Sequence, residues 1–319
     1  MLLLGLLVLI VGGEFLVKGA VGCSAIFKIS PLVIGMTVVS FGTSAPELLV
    51  SLQSALDGNP GIAIGNVIGS NIANIALVLG LTVLIVPIIA KKESKRIDYP
   101  MMVLSSVLFY LFALDNKIVW WEGAILFVIL IAFIAYLITN SRKKTKKELS
   151  DQDEDIEEAM KMPIGKALLF LIIGLVGLYF GSEWFVDGAV GIANVLLEGN
   201  PDKDSIIGVT VVALGTSAPE LVASCVAAFR KQSDISVGNL IGSNIFNVFA
   251  VIGVTSMVKP IEVTDKVLSF DMYWMLGIAL GLGVILWFGK KIGRLSGTLL
   301  FATYVTYVLI IVFRIKGII

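Results

Sequence analysis

Glu47 and Glu220 stand inside strongly apolar stretches, each directly after a proline. Both belong to the same run, Gly-Thr-Ser-Ala-Pro-Glu-Leu, which occupies 42–48 and returns at 215–221. A charged side chain at membrane depth costs about 2.5–3.5 kcal/mol on insertion scales, so an intramembrane carboxylate marks a functional site by default. The plainer reading is a structural charge satisfied by neighbouring helices; the duplicated Pro-Glu setting favours an ion site. Pro46 has no amide hydrogen and clashes with the carbonyl four residues earlier, so the helix should break across Gly42–Pro46. Such a break survives in a membrane where protein or water satisfies the freed backbone, and its carbonyls and half-helix end then become available to a cation. Thr43 and Ser44 add hydroxyl oxygens, and Thr216 and Ser217 repeat them beside Pro219.

A second pair of segments follows each run: Gly65-Asn66-Val67-Ile68-Gly69-Ser70-Asn71-Ile72-Ala73-Asn74, and the matching stretch from Gly238 to Asn247. Ser70 and Asn74 are four apart and share a helix face, as do Ser243 and Asn247. Gly65 and Gly69 have the small-xxx-small spacing that lets helices approach closely. Every candidate ligand is a hard oxygen. Calcium takes about 6–8 oxygens, often with bidentate carboxylates, and sodium accepts carbonyls and hydroxyls. Two glutamates neutralise one Ca²⁺; three Na⁺ in the same region leave a net positive charge, so an exchange cycle between them would be electrogenic. Ser70 and Ser243 could instead make helix-packing contacts, and Asn74 and Asn247 could hold the carboxylates by hydrogen bonds. Asn66 and Asn239 are read as capping or packing residues.

Membrane-spanning elements must position these groups. The chain of 319 residues is 57% hydrophobic and 15% charged, which excludes a soluble globular domain. Net charge is zero, which gives no reason to expect a nucleic-acid partner, and histidine is absent. With only Cys23 and Cys225, both in apolar segments, a zinc, copper or iron–sulfur centre is not expected. The two cysteines read as packing residues rather than a disulfide. No cofactor is expected; the partners are the bilayer and the ions.

At about 20 apolar residues per span, five spans fall near 2–24, 31–56, 62–89, 100–114 and 118–139. Five more fall near 164–197, 205–229, 235–258, 268–288 and 295–315. Across Pro31–Gly80 and Asp204–Gly253, 25 of 50 positions are identical at an offset of 173, so one unit occurs twice. The start recurs too: Gly12-Gly13-Glu14 answers Gly181-Ser182-Glu183, so the first apolar run is a retained helix and not a signal peptide. The expected division is a first repeat over 1–139, a charged linker over 140–163 and a second repeat over 164–319. Two homologous units of five spans cross the membrane in opposite senses, the inverted-repeat plan of many secondary transporters. Lys and Arg divide fourteen to six between the two sides, counting Lys91, Lys92, Lys95, Arg96, the run Arg142–Lys147, Arg230, Lys231, Lys290, Lys291 and Arg294 on the richer one. That bias places the linker in the cytoplasm and both termini outside a plasma membrane.

At the two Gly-Thr-Ser-Ala-Pro-Glu-Leu runs and the segments after them, the chain resembles the calcium/cation antiporter superfamily, most of all its sodium/calcium exchanger branch. The resemblance covers both halves in order. It implies ten helices in two inverted five-helix repeats, with ion sites formed by the second, third, seventh and eighth. It further implies Glu47 and Glu220 as the main cation ligands, with oxygens from Thr43, Ser44, Thr216, Ser217, Ser70 and Ser243. Backbone carbonyls of Ser40 and Ala213 complete the implied set, and the long first and sixth spans form a sliding gate. Asparagine stands at both Asn74 and Asn247, where potassium-dependent and some prokaryotic relatives carry an aspartate at the second position, which argues against a potassium requirement. The proton-coupled branch usually lacks the proline before its glutamate, so Pro46 and Pro219 favour sodium. The remaining alternatives are a proton/calcium exchanger using the same glutamates, a cation channel and an intramembrane enzyme. A channel usually builds its pore from several subunits, whereas both halves of this site lie in one chain. An enzyme would need a nucleophile arrangement the sequence lacks.

Overall fold

A computed structural model describes residues 1–89, 94–148, 162–196, 213–289 and 291–315. The architecture is helical. In order come α1 (Leu2–Phe27), α2 (Pro31–Thr43), α3 (Ala45–Leu56), α4 (Pro60–Ile85), α5 (Ser94–Ala113) and α6 (Trp120–Glu148). The second half has α7 (Ile164–Leu196), α8 (Ala213–Thr216), α9 (Ala218–Phe229), α10 (Ser233–Val258), α11 (Val267–Phe288) and α12 (Arg294–Ile315).

Among the described residues eight helices are long and apolar enough to cross a membrane, and a ninth results if α2 and α3 count as one bent span. The expected seventh span, 205–229, lies partly outside the described residues, and α9 alone has only 12 residues. Two boundaries differ most from expectation. The expected fifth span, α6, continues past 139 to Glu148, because lysine and glutamate are good helix formers and nothing breaks the run. The expected fourth span, α5, begins at Ser94, with one π-helical turn ahead of Tyr99. The acidic run Asp151–Glu158 lies outside the described residues.

The duplication read from sequence reappears in the backbone. π-Helical turns at Ala73–Leu79 and Ser94–Asp98 answer those at Asn247–Ile252 and Val267–Asp271. Gly58 has φ 85°, and Lys231, at the same offset of 173, has φ 58°. The same turn is therefore built once with the residue that favours it and once with a lysine. Contacts between the halves are reciprocal. Strand β1 (Lys117–Ile118) pairs antiparallel with β2 (Ile261–Glu262), while Ile88 bridges to Ile292. Likewise α6 packs on the last turns of α10, and α12 on the last turns of α4. Each half thus presents to the other the surface it receives.

Helices α4 and α10 form the centre, with 78% and 83% of their most apolar windows buried, against 22% for α12 at the edge. α1 and α7 lie antiparallel with their backbones touching. Glycines recur every seven residues on each, at Gly5, Gly12 and Gly19 and at Gly174, Gly181 and Gly188. With 26 and 33 residues, these helices are about 39 and 50 Å long, well beyond a hydrocarbon core of about 30 Å. α7 passes both glycine breaks: Leu175 faces Gly42, Val186 faces Gly215, and the Ser182 hydroxyl donates to the Gly215 carbonyl at 2.7 Å. Glu14 on α1 is held by Arg230, whose Nη2 and Nε lie 2.7 and 3.0 Å from the carboxylate. Cys23 and Cys225 are both free thiols, and Trp120 and Trp121 are exposed at the start of α6.

Candidate functional site

The break falls where Pro46 requires it. α2 and α3 meet at Ser44 with a bend of 42°. Ser44 has φ −90° and ψ 3°, and Ser217 has φ −89° and ψ 4°, so the two repeats break in the same way. The Ser44 amide still donates to Ser40 O at 2.9 Å, and Leu48 N to Ser44 O at 3.2 Å. Proline 46 sends nothing to the Gly42 carbonyl, because it has no N–H. Glu47 and Glu220 sit in the first turn of α3 and α9 respectively, where the half-helix dipoles favour negative charge.

Both carboxylates are buried, each about 1% exposed, and close enough to interact electrostatically. Glu220 also faces the hydroxyls of Thr43 and Ser44 across the boundary between repeats. Thr43 Oγ1 lies 3.4 Å from Ser243 Oγ and 3.2 Å from Asn239 Oδ1, which ties the first broken helix to the second central helix. Ser44, Ser70, Ser217, Ser243, Asn74 and Asn247 are buried as well. Thr216 ends α8, directly ahead of Ser217.

Buried polar atoms without a hydrogen-bond partner concentrate on these side chains. They are Glu47 Oε2, both Glu220 oxygens, the hydroxyls of Ser44, Ser70 and Ser217, both amide atoms of Asn74, and Asn247 Oδ1. An orphaned buried polar group costs about 1–3 kcal/mol, more when charged. Eight of the nine are oxygens, the atom type that a hard cation takes.

Other polar residues brace these side chains. Asn66 Nδ2 donates to Ser51 Oγ at 2.9 Å and to the Glu47 carbonyl at 3.2 Å. In the second repeat Asn239 Nδ2 donates to Ser224 Oγ at 3.1 Å. Packing, the role read for Asn66 and Asn239, is what they do, and it fixes the glutamate helices against the central ones. Ser51 and Ser224 were missed by sequence reading, although their identity in both repeats was the available signal.

Ser40 and Ala213 occupy equivalent positions but are not alike. The Ser40 hydroxyl donates to Gly35 O at 2.8 Å and Asn239 O at 3.0 Å, closing the contact between α2 and α10. Its carbonyl accepts from the Ser44 amide and, at 3.4 Å, from Thr43 Oγ1. Ala213 opens α8. Close packing by small residues is seen at Gly238, where a Cβ would lie 2.5 Å from Leu32 O, and at Gly242, beside Met36 and Ser40. For Gly65 and Gly69 the equivalent partner segment lies outside the described residues. Glu14 is engaged by Arg230, and Glu183 accepts from Tyr179 at 3.4 Å; neither belongs to the carboxylate pair.

A broken-helix pair carrying buried carboxylates between two reciprocal halves suits a membrane transporter of cations. The chain belongs to the sodium/calcium exchanger protein family, which it matches over residues 1–139 and 166–313. It is 31% identical to the sodium/calcium exchanger MaX1 of Methanosarcina acetivorans, over 97% of each chain. It is 34% identical to a putative antiporter, CaxA, of Alkalimonas amylolytica, over 96% of this chain and 95% of that one. Its fold matches a solved structure of the sodium-calcium exchanger NCX_Mj soaked with 10 mM Na⁺ and 10 mM Sr²⁺. The TM-score is 0.81 at 33% identity, covering 97% of this chain and 96% of that one.

Proposed function

We propose that the protein is a sodium/calcium antiporter working by alternating access, with Ca²⁺ and Na⁺ competing for one site between the repeats. The observation that carries this is the facing pair Glu47 and Glu220, one from each half, buried with three unpartnered oxygens. Two carboxylates balance one Ca²⁺, and they attract Na⁺ as well. The ligand set is Glu47, Glu220, Thr43, Ser44, Thr216, Ser217, Ser70, Ser243, Asn74 and Asn247, with the carbonyls of Ser40 and Ala213. Ten helices in two inverted five-helix units surround it, with both termini outside a plasma membrane and the linker in the cytoplasm. The long pair α1 and α7, of which α7 crosses both helix breaks, is the element that slides to change access. The cycle is electrogenic, because three Na⁺ leave one positive charge over the glutamate pair.

Uptake of radiolabelled Ca²⁺ into proteoliposomes tests this. Outward sodium should drive uptake, and a positive-outward diffusion potential should alter its rate. Uptake that persists without sodium and follows an outward proton gradient would move the chain to proton coupling through the same two glutamates.

A further inference from the structure

Asn247 and Asn74 occupy matching positions, yet their amides are held differently. Asn247 Nδ2 donates to Asn71 Oδ1 at 3.1 Å, which leaves only Oδ1 unpartnered. Asn74 has neither atom engaged. Asn71, in turn, donates from Nδ2 to the Asn244 backbone carbonyl at 3.4 Å, with Met275 Sδ at 3.8 Å. A carbonyl and a thioether only accept. The Asn71 end that faces them must therefore be its NH₂, and the end that faces Asn247 must be its oxygen. Asn247 must answer with its own NH₂, and its oxygen is turned the other way. The equivalent Asn244 breaks the symmetry, since its Nδ2 donates to Leu240 O at 2.8 Å within its own helix.

From this we infer that Asn71 is a positioning residue which fixes the rotamer of Asn247, so that this asparagine always offers an oxygen, never an N–H, to the transported cation. The inference rests on the exchanger reading and names the residue that sets one ligand of that site. Asn247 lies one turn beyond Ser243, on the face that meets Thr43. The chain of amides runs from backbone carbonyl to side chain to side chain, and each bond polarises the next. Its negative end is Asn247 Oδ1. Asn74 lacks such a brace and is free to turn as ions exchange.

The test is equilibrium binding of radiolabelled Ca²⁺ to purified protein, comparing Asn71→Leu in the native background and beside Asn247→Asp. Outer partners of metal ligands typically contribute about 10–100-fold in affinity, and Asn71→Leu should weaken Ca²⁺ binding by that factor. Aspartate has two equivalent oxygens, so beside Asn247→Asp the same substitution should change affinity by less than about threefold, well under that range. Asn71→Ser, smaller and still polar, gives the same comparison where the leucine variant fails to yield a monodisperse protein. Unchanged affinity in Asn71→Leu, or an equal loss in both backgrounds, would overturn the inference. A wild type that binds Ca²⁺ but shows no sodium-driven uptake would overturn the exchanger reading instead.

Discussion

Adding one methyl group at Gly12 should pry α1 from α7. A Cβ there would lie 2.8 Å from Leu178 N, 2.9 Å from the Gly177 carbonyl carbon and 3.1 Å from Gly174 O. All three are backbone atoms and cannot rotate aside. Restoring ordinary contact means moving the helices apart by about 0.6 Å, and a gap of that size forfeits about a quarter to a half of each lining contact. Overpacking of this kind costs about 1–3 kcal/mol. Against it, alanine is favoured over glycine inside a helix by about 0.5–1 kcal/mol. With backbone atoms on all sides overpacking outweighs that gain, and Gly12→Ala should lose up to about 2.5 kcal/mol net. Gly277 is the control: no described atom lies within 4 Å of its would-be Cβ, so Gly277→Ala should be neutral or gain up to about 1 kcal/mol. Thermal unfolding in detergent, followed by tryptophan fluorescence, reads the two signs. A Gly12→Ala protein that melts at or above the wild type, or a Gly277→Ala protein that falls equally, would refute the close packing.

Two further outcomes follow from contacts outside the carboxylate pair. Arg230 is 57% exposed and Glu14 29%, so solvent screens their bond, and Arg230→Ala should lower the melting temperature only slightly. The double variant with Glu14→Ala should cost no more than the single one, and added salt should shrink the difference; full additivity at low salt would contradict the pairing. Replacing Asn66 by leucine removes the donor to Ser51 and to the Glu47 carbonyl, which should cost about 1–3 kcal/mol. A Ca²⁺ titration of the same variant should show weaker binding, because the Glu47 helix loses its tether, and an unchanged titration with unchanged melting would show that the brace is idle.

The broken helix was legible because its cause is local. Pro46 follows Gly42 by four, and the bend appears at Ser44. The candidate site residues stood out for a different reason: the chain carries them twice, so Glu47, Ser70 and Asn74 each had an echo. What stayed hidden depends on contacts between segments far apart in sequence. The grip of Arg230 on Glu14 joins residues 216 apart, and no local pattern reports it. The amide chain through Asn71 was equally silent, because duplication gives Asn71 and Asn244 the same sequence context while packing gives them different partners. Sequence symmetry is also incomplete at Ser40 and Ala213, equivalent by alignment: a hydroxyl seals α2 against α10 in one half, and the other half has an alanine at that position.

The measurement closest to the central claim is Ca²⁺ binding to Glu47→Gln and to Glu220→Gln. At an effective dielectric of about 20, a unit charge removed about 4 Å from another unit charge forfeits about 4 kcal/mol, and more against a divalent ion. That corresponds to about a thousandfold in affinity before the site rearranges. Each variant should therefore bind at least about a hundredfold more weakly than the wild type while keeping its elution profile. If either variant binds Ca²⁺ as the wild type does, the two glutamates do not form one cation site, and the account fails at its centre.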